Sequence, residues 1–277
     1  MRQGSAARGK LGKGNGQSVV ADPSLIDRQH TRRTTQPAAG IFLRAEWRHL
    51  AMVNFQVDPK LLAAQVPRGT ELDLFDGKAF LSIVAFKFLR ATLLGIPVPF
   101  HRDFAEVNLR FYVRRTDHPD RRGVVFIREI APRPLVSLVA RWVYHEKYVT
   151  APMRHRVCET PGEAGGQIEV EYAWKLARRW HRLWVRGAGE PREPDPGSVE
   201  QFLVEHHWGY SAQPHGGCLE YRVDHPAWRV RSAVEHKLDC DIASVYGSPW
   251  AECLGQAPHS VLLAEGSPVA VHRGFRL

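Results

Sequence analysis

Nine residues near the middle of the chain, Phe104-Ala-Glu-Val-Asn-Leu-Arg-Phe-Tyr112, alternate without a break. In an extended strand successive side chains point to opposite faces. One face then carries Phe104, Glu106, Asn108, Arg110 and Tyr112, and the other carries Ala105, Val107, Leu109, Phe111 and Val113. The second face is uniformly apolar and must be packed on something. The first has two readings. It is an ordinary solvated face, or it lines the inside of a closed sheet, where a carboxylate and a guanidinium need each other or a ligand.

The flanking sequence is built of similar short pieces. Asp58-Pro59 is an N-cap followed by proline at the first helical position, so Lys60–Val66 reads as a short helix closed by Pro67. Asp76-Gly77, between Glu71–Phe75 and Lys78–Phe88, is a hairpin signal with a primed turn. Leu93–Phe100, with Pro97 and Pro99, reads as a loop. Strands are expected over Phe104–Arg114, Val124–Ile130, Leu135–Tyr144, Gln167–Leu176, Trp180–Val185, Leu219–Val223, Val261–Glu265 and Val269–Arg273. Ser198-Val-Glu-Gln201 matches a capping box, with Val199, Phe202, Leu203 and His206 at helical spacing around it. Many strands and two brief helices, with no βαβ alternation and no glycine-rich phosphate loop, predict a mainly β (α+β) fold. An antiparallel barrel and a sandwich with helical decoration both fit.

Charge is distributed differently from this pattern. The 277 residues carry 38 Lys+Arg against 29 Asp+Glu, a formal +9, which first points to nucleic acid or a membrane surface. Residues 1–40 account for five of those nine charges and are rich in Gly, Ser, Gln and Thr without apolar periodicity. Such a segment buries too little to offset its ordering entropy, so it reads as a disordered basic tail before a single domain over 41–277. Nucleic acid is therefore not the expected partner. No run reaches the ~18–20 consecutive apolar residues of a membrane span, and the tail lacks the apolar core of a signal peptide. Four cysteines without CxxC spacing fit a reducing compartment. The expectation is a cytoplasmic protein with no membrane association, and a homo-oligomer is compatible with it.

Candidate chemistry is sparse. Arg141 interrupts the apolar run Leu135–Tyr144 and needs a carboxylate or ligand partner there. Lys147 follows on the same face if the strand continues. It is a Schiff-base candidate only if desolvated or beside another cation, and otherwise a surface lysine. The chain has eight lysines, two of them in the tail, so amine chemistry has few candidates. Glu205-His206-His207 lacks the HExxH spacing that puts two histidines on one helix face, so no metal is expected. No G-x-S-x-G elbow is present, and no cofactor is predicted. His207 and Tyr210, at the end of the second helix, are candidate substrate contacts.

Several phrases occur together in order: Trp47-Arg-His-Leu-Ala-Met-Val-Asn-Phe55, Leu72-Asp-Leu-Phe-Asp-Gly77, Glu106-Val-Asn-Leu-Arg110, Ala140-Arg141, Pro152-Met153, Trp208-Gly-Tyr210 and Glu220-Tyr-Arg-Val-Asp-His-Pro226. Over about residues 41–277 the chain resembles the uncharacterised YqjF-like family (domain of unknown function 2071), placed in the acetoacetate decarboxylase-like superfamily. The resemblance implies an acetoacetate decarboxylase-like antiparallel β-barrel with an interior pocket. It also implies a pocket lysine that forms a Schiff base with a keto acid, its pKa lowered by an adjacent lysine, and an arginine and a glutamate lining the site. Glu106 falls on the strand that resembles the glutamate strand, and Lys147 falls within about a residue of the lysine pair. Here Glu146 and Tyr148 flank Lys147 instead of a second lysine. The expected ligand is a small anionic organic molecule, with Lys147 and Glu106 catalytic and Asn108, Arg110, Arg141, His207 and Tyr210 binding. A keto-acid lyase or decarboxylase-like enzyme is one reading; a non-catalytic carrier or sensor is the other.

Overall fold

The computed structural model describes residues 40–97, 102–134, 146–162, 165–214 and 216–277. The basic tail, Arg141 and the expected strand Leu135–Tyr144 lie outside the described residues. The strands are β1 (Ile41–Val57), β2 (Thr70–Leu72), β3 (Ala79–Leu93), β4 (Ile96–Pro97), β5 (Phe104–Arg115), β6 (Arg122–Ala131), β7 (Tyr148–Thr150), β8 (Met153–Thr160), β9 (Gln167–Leu176), β10 (Arg179–Ala188), β11 (Trp208–Ala212), β12 (Cys218–Asp224), β13 (Val230–Asp239), β14 (Ser260–His272) and β15 (Phe275–Arg276). The fold is mostly β, as the alternation predicts.

Pairing runs β12-β11-β6-β5-β3-β1-β14, and β14 pairs back onto β12. Beyond β14 the path continues through β13, β10, β9 and β8. This arrangement gives β5 two apolar neighbourhoods. Its Ala105, Val107, Leu109, Phe111 and Val113 join a core with Ile168, Val170, Tyr172 and Trp174 of β9 and with Leu183 and Val185 of β10. Phe104 and Tyr112, from the opposite face, join a second core with Met52, Val84, Phe86, Phe202 and Leu203. Both faces of β5 are thus buried, and the solvated reading of Glu106, Asn108 and Arg110 is replaced by the enclosed one.

The local signals act as predicted. Asp58 accepts from the Lys60 amide at 2.9 Å and caps the helix Pro59–Leu62, which tightens into a 3-10 turn over Ala63–Gln65. Ser198 accepts from the Gln201 amide at 3.2 Å, and Gln201 Oε1 accepts from the Gly197 amide at 2.7 Å, capping the helix Val199–Val204. Asp76 and Gly77 both have positive φ, and Phe75 and Lys78 exchange both backbone bonds across them, a primed two-residue turn. The strand before that turn differs from expectation: β2 pairs with β5, Thr70 opposite Arg115, and the turn only carries the chain into β3. Strand β8 escaped the sequence reading because it lies at the end of the sheet path, largely exposed, where no alternation is selected.

Candidate functional site

A partly open cavity of about 170 Å³ lies against the inward face of β5. Its apolar wall includes Trp47, whose ring centroid stands 5.3 Å from Phe86, 5.8 Å from Phe88 and 6.1 Å from Trp228. Into this wall project Glu106, Asn108 and Arg110 from β5, Glu129 from β6, Glu146 and Tyr148 at the start of β7, His206 from the turn after the second helix, and Tyr221 from β12.

Strand periodicity alone accounts for Glu106, Asn108 and Arg110. Glu129 requires an irregularity. Val125 and Ile127 belong to the outer core, so strict alternation would send Glu129 outward with them. The β5–β6 register slips between Leu109/Arg128 and Arg110/Phe126, leaving Ile127 as the extra residue. This bulge inverts the parity, so Phe126 and Glu129 both line the cavity. Glycine at 209 is needed for a comparable reason: a Cβ there would overlap the Tyr221 ring that fills the wall beside it.

Hydrogen bonds tie the polar groups together in part. Tyr148 donates to Glu106 Oε2 at 2.6 Å, Asn108 donates to Glu106 Oε1 at 3.2 Å, and Tyr221 donates to Glu146 Oε1 at 2.8 Å. His206 Nε2 meets Asp73 Oδ2 at 3.0 Å, and Arg122 Nε donates to the same oxygen at 2.6 Å. Asp73 is an acceptor held ionised, so His206 donates from Nε2 and leaves Nδ1 as an acceptor. Burial lowers His206 to about 4, which keeps it neutral. Five lining residues carry a buried polar atom with no hydrogen-bond partner among the described residues: Trp47 Nε1, Asn108 Oδ1, Arg110 Nε, Glu129 Oε2 and His206 Nδ1.

The carboxyls bind protons unusually tightly. Burial raises Glu106 to about 7, against the pull of Tyr148, Asn108 and the Arg110 charge. Burial raises Glu146 to about 8, opposed by the Tyr221 hydrogen bond and the charge of Lys147. Glu129 is held well above the usual carboxylate range, first by burial and then by repulsion from Glu146 and Glu106. A carboxyl whose folded pKa exceeds its unfolded one contributes stability at low pH and loses it as pH rises through the folded value. Buried neutral histidines such as His206 oppose this only below their unfolded value of about 6.5. Thermal midpoints are therefore expected to fall between about pH 6.5 and 8.5, and Glu146→Gln should flatten that limb. Parallel curves for wild type and variant in calorimetry would remove Glu146 as a cause.

Of the residues expected from sequence, Glu106, Asn108 and Arg110 converge on the cavity. Lys147 does not: the residues on either side face inward, so it turns out, exposed, with its amine donating to Gln65 at 3.1 Å. His207 is replaced at the wall by its neighbour His206; its own ring lies against His225 at 4.3 Å. Tyr210 is buried in the outer core, with its hydroxyl on the Arg121 carbonyl at 2.9 Å and Glu220 at 3.0 Å. Glu129, Glu146 and Tyr148 went unrecognised: a bulge hid the first, and their position beside the presumed catalytic lysine hid the other two.

A family described as an uncharacterized conserved protein, domain of unknown function 2071, matches residues 44–268. The chain belongs to that family. The uncharacterized protein YqjF of Bacillus subtilis (strain 168) is 28% identical over 212 residues, covering 76% of this chain and 83% of YqjF. Among solved structures, the enduracididine biosynthesis enzyme MppR complexed with pyruvate superposes with a TM-score of 0.59 at 13% identity, covering 96% of this chain and 98% of that one. Acetoacetate decarboxylase from Legionella pneumophila gives a TM-score of 0.57 at 12% identity, over 94% of this chain and 98% of the enzyme. This member of the family therefore has the acetoacetate decarboxylase-like fold. No helix among the described residues is long and apolar enough to cross a membrane.

Proposed function

We propose that this cytoplasmic protein binds a small anionic organic molecule inside the cavity, with Arg110 on its carboxylate and Asn108 and Glu106 orienting it. The closed strand path is read as a β-barrel, within one domain over 41–277 behind a basic tail. Arg110 carries the proposal. It is 8% exposed, lines the cavity, has no ion-pair partner among the described residues and leaves Nε unpaired. A guanidinium so placed is costly unless an anion meets it, and its planar fork suits a carboxylate. The expectation for Arg141, which lies outside the described residues, is that it adds to the same anion site.

The keto-acid lyase or decarboxylase-like reading divides at the amine. Imine chemistry needs a lysine in the cavity, and none of Lys60, Lys78, Lys87, Lys147, Lys175 or Lys237 lines it. The outward turn of Lys147 favours a carrier or sensor, or an enzyme that uses Glu106 as a near-neutral acid–base group instead of an imine. Titration with pyruvate and with acetoacetate, followed by borohydride reduction and intact-mass measurement, tests both parts. Saturable binding with no covalent adduct is expected. An adduct lost in Lys147→Ala would restore the imine mechanism, and no binding of either acid would remove the anion site.

A further inference from the structure

The cavity holds more hydrogen-bond acceptors than an anion can use. Asn108 and Glu129 are directly paired across β5 and β6, which sets their side chains about 5 Å apart at their bases. Asn108 gives its amide N–H to Glu106 at 3.2 Å, leaving Oδ1 free. Asn108 is 1% exposed and Glu129 3% exposed, and Oδ1 of the first and Oε2 of the second lack hydrogen-bond partners among the described residues. A cationic nitrogen between these two buried atoms would give Asn108 Oδ1 its donor and let the Glu129 carboxyl release the proton it holds. Glu106 and Glu146 stand around them, so three carboxyls face one guanidinium, Arg110, among the described lining residues. A metal ion is a poor candidate for this wall, since no set of three His, Cys, Asp or Glu among the described residues is arranged to hold one.

We propose that the ligand carries a protonated nitrogen as well as its acid group, and that this nitrogen sits between Asn108 Oδ1 and the Glu129 carboxyl. The inference rests on the Arg110 reading above and adds the other end of the molecule. The ligand is then a zwitterion, with carboxylate on Arg110, ammonium on the acidic wall and an apolar body against Trp47, Phe86, Phe88 and Trp228. An ammonium brings three donors and no acceptor, which suits Asn108 Oδ1 and the carboxyls around it. The aromatic faces nearby are themselves favourable neighbours for a cation.

Charge balance supplies a second consequence. Among the described residues, the titratable and charged groups lining the cavity are Glu106 and Arg110 on β5, Glu129 on β6, Glu146 and Tyr148 at β7, Tyr221 on β12, and the neutral His206 and His225. With the cavity empty, the three carboxyls hold protons into the neutral range. A cation entering stabilises an ionised carboxylate, so binding at pH 7 releases a proton and strengthens as pH rises from 6 to 8.

The test titrates the full chain calorimetrically with the ω-amino acids from 3-aminopropanoate to 6-aminohexanoate. Each is compared with the carboxylic acid and the amine of the same carbon length, in two buffers of different ionisation enthalpy. The expected result is at least tenfold tighter binding of one amino acid than of its matched acid, with proton release. Glu129→Gln should remove that advantage, bringing the amino acid and its matched acid to similar affinity. Acids that bind as tightly as the amino acids would overturn the cation site while leaving the Arg110 reading intact. Amines that bind while acids do not would support the cation site and overturn the Arg110 reading. No binding by any of the three classes would overturn both.

Discussion

Replacing Arg110 by methionine is expected to weaken binding of pyruvate or acetoacetate by about 30-fold or more. Truncating one side of a buried, hydrogen-bonded charge pair costs about 2–5 kcal/mol, and 2 kcal/mol is about 30-fold in Kd. The guanidinium is buried in an apolar wall with no ion-pair partner among the described residues. Without ligand its charge meets only the Tyr112 ring, 5.7 Å away, and the Glu106 carboxyl, raised to about 7 and so partly protonated; these return little of its desolvation cost. Methionine keeps the unbranched stem and drops the charge. The thermal midpoint without ligand should therefore hold steady or rise, which separates a lost contact from a lost fold. Arg110→Lys keeps the charge without the fork and should fall between the two. Full affinity in Arg110→Met, by calorimetric titration at pH 7, would place the anion elsewhere.

The largest effect on stability is expected at Glu220. Glu220 is fully buried, and its carboxylate meets Arg115 Nη1 at 3.1 Å, Arg121 Nη1 at 2.8 Å and the Tyr210 hydroxyl at 3.0 Å. It ties β12 to the end of β5, the start of β6 and β11. Glu220→Ala takes the shared carboxylate from both guanidiniums. Arg115 keeps Asp117 at 2.6 Å and Arg121 keeps the Trp208 ring, so the loss is expected at the low end, about 3 kcal/mol, of what breaking a buried ion pair costs. For a domain of this size that is a fall on the order of 10 °C in thermal midpoint. Ligand affinity should change little in the folded fraction, because Glu220 does not line the cavity. A drop of under 2 °C by differential scanning fluorimetry would show that the three partners find other acceptors.

The separation of these two arginine environments explains how far the sequence could be read. Alternation over Phe104–Tyr112 places Glu106, Asn108 and Arg110 on one face, and that much follows from the two-residue period of a strand. Whether the face met water or an interior depended on strands far away in sequence, β1, β14 and β12, which bring the path back on itself. Glu129 was illegible for a local reason: one extra residue in β6 inverts its direction, and a bulge leaves no compositional mark in Val124–Ile130. Lys147 shows the reverse error. Motif likeness drew attention to the amine, but a strand entering at Tyr148 turns its neighbours inward and the lysine out. His206 and His207 differ by one position, and only the buried Asp73, held beside Arg122, selects the first.

Residue order by itself determined the short-range features. These are the caps at Asp58 and Ser198, the primed turn at Asp76-Gly77, the hairpin of β9 and β10, and family membership, because each depends on residues a few positions apart or on a linear pattern. Tertiary structure alone decided which polar residues share a cavity. Burial, hydrogen bonding and carboxyl protonation are set by groups that meet across the sheet, such as Glu106 with Tyr148, Asn108 with Glu129 and Glu146 with Tyr221, whose separations along the chain carry no signal of their proximity. Five of the nine excess positive charges sit in residues 1–40; the proposed binding rests instead on one guanidinium and three carboxyls that the strand path buries together.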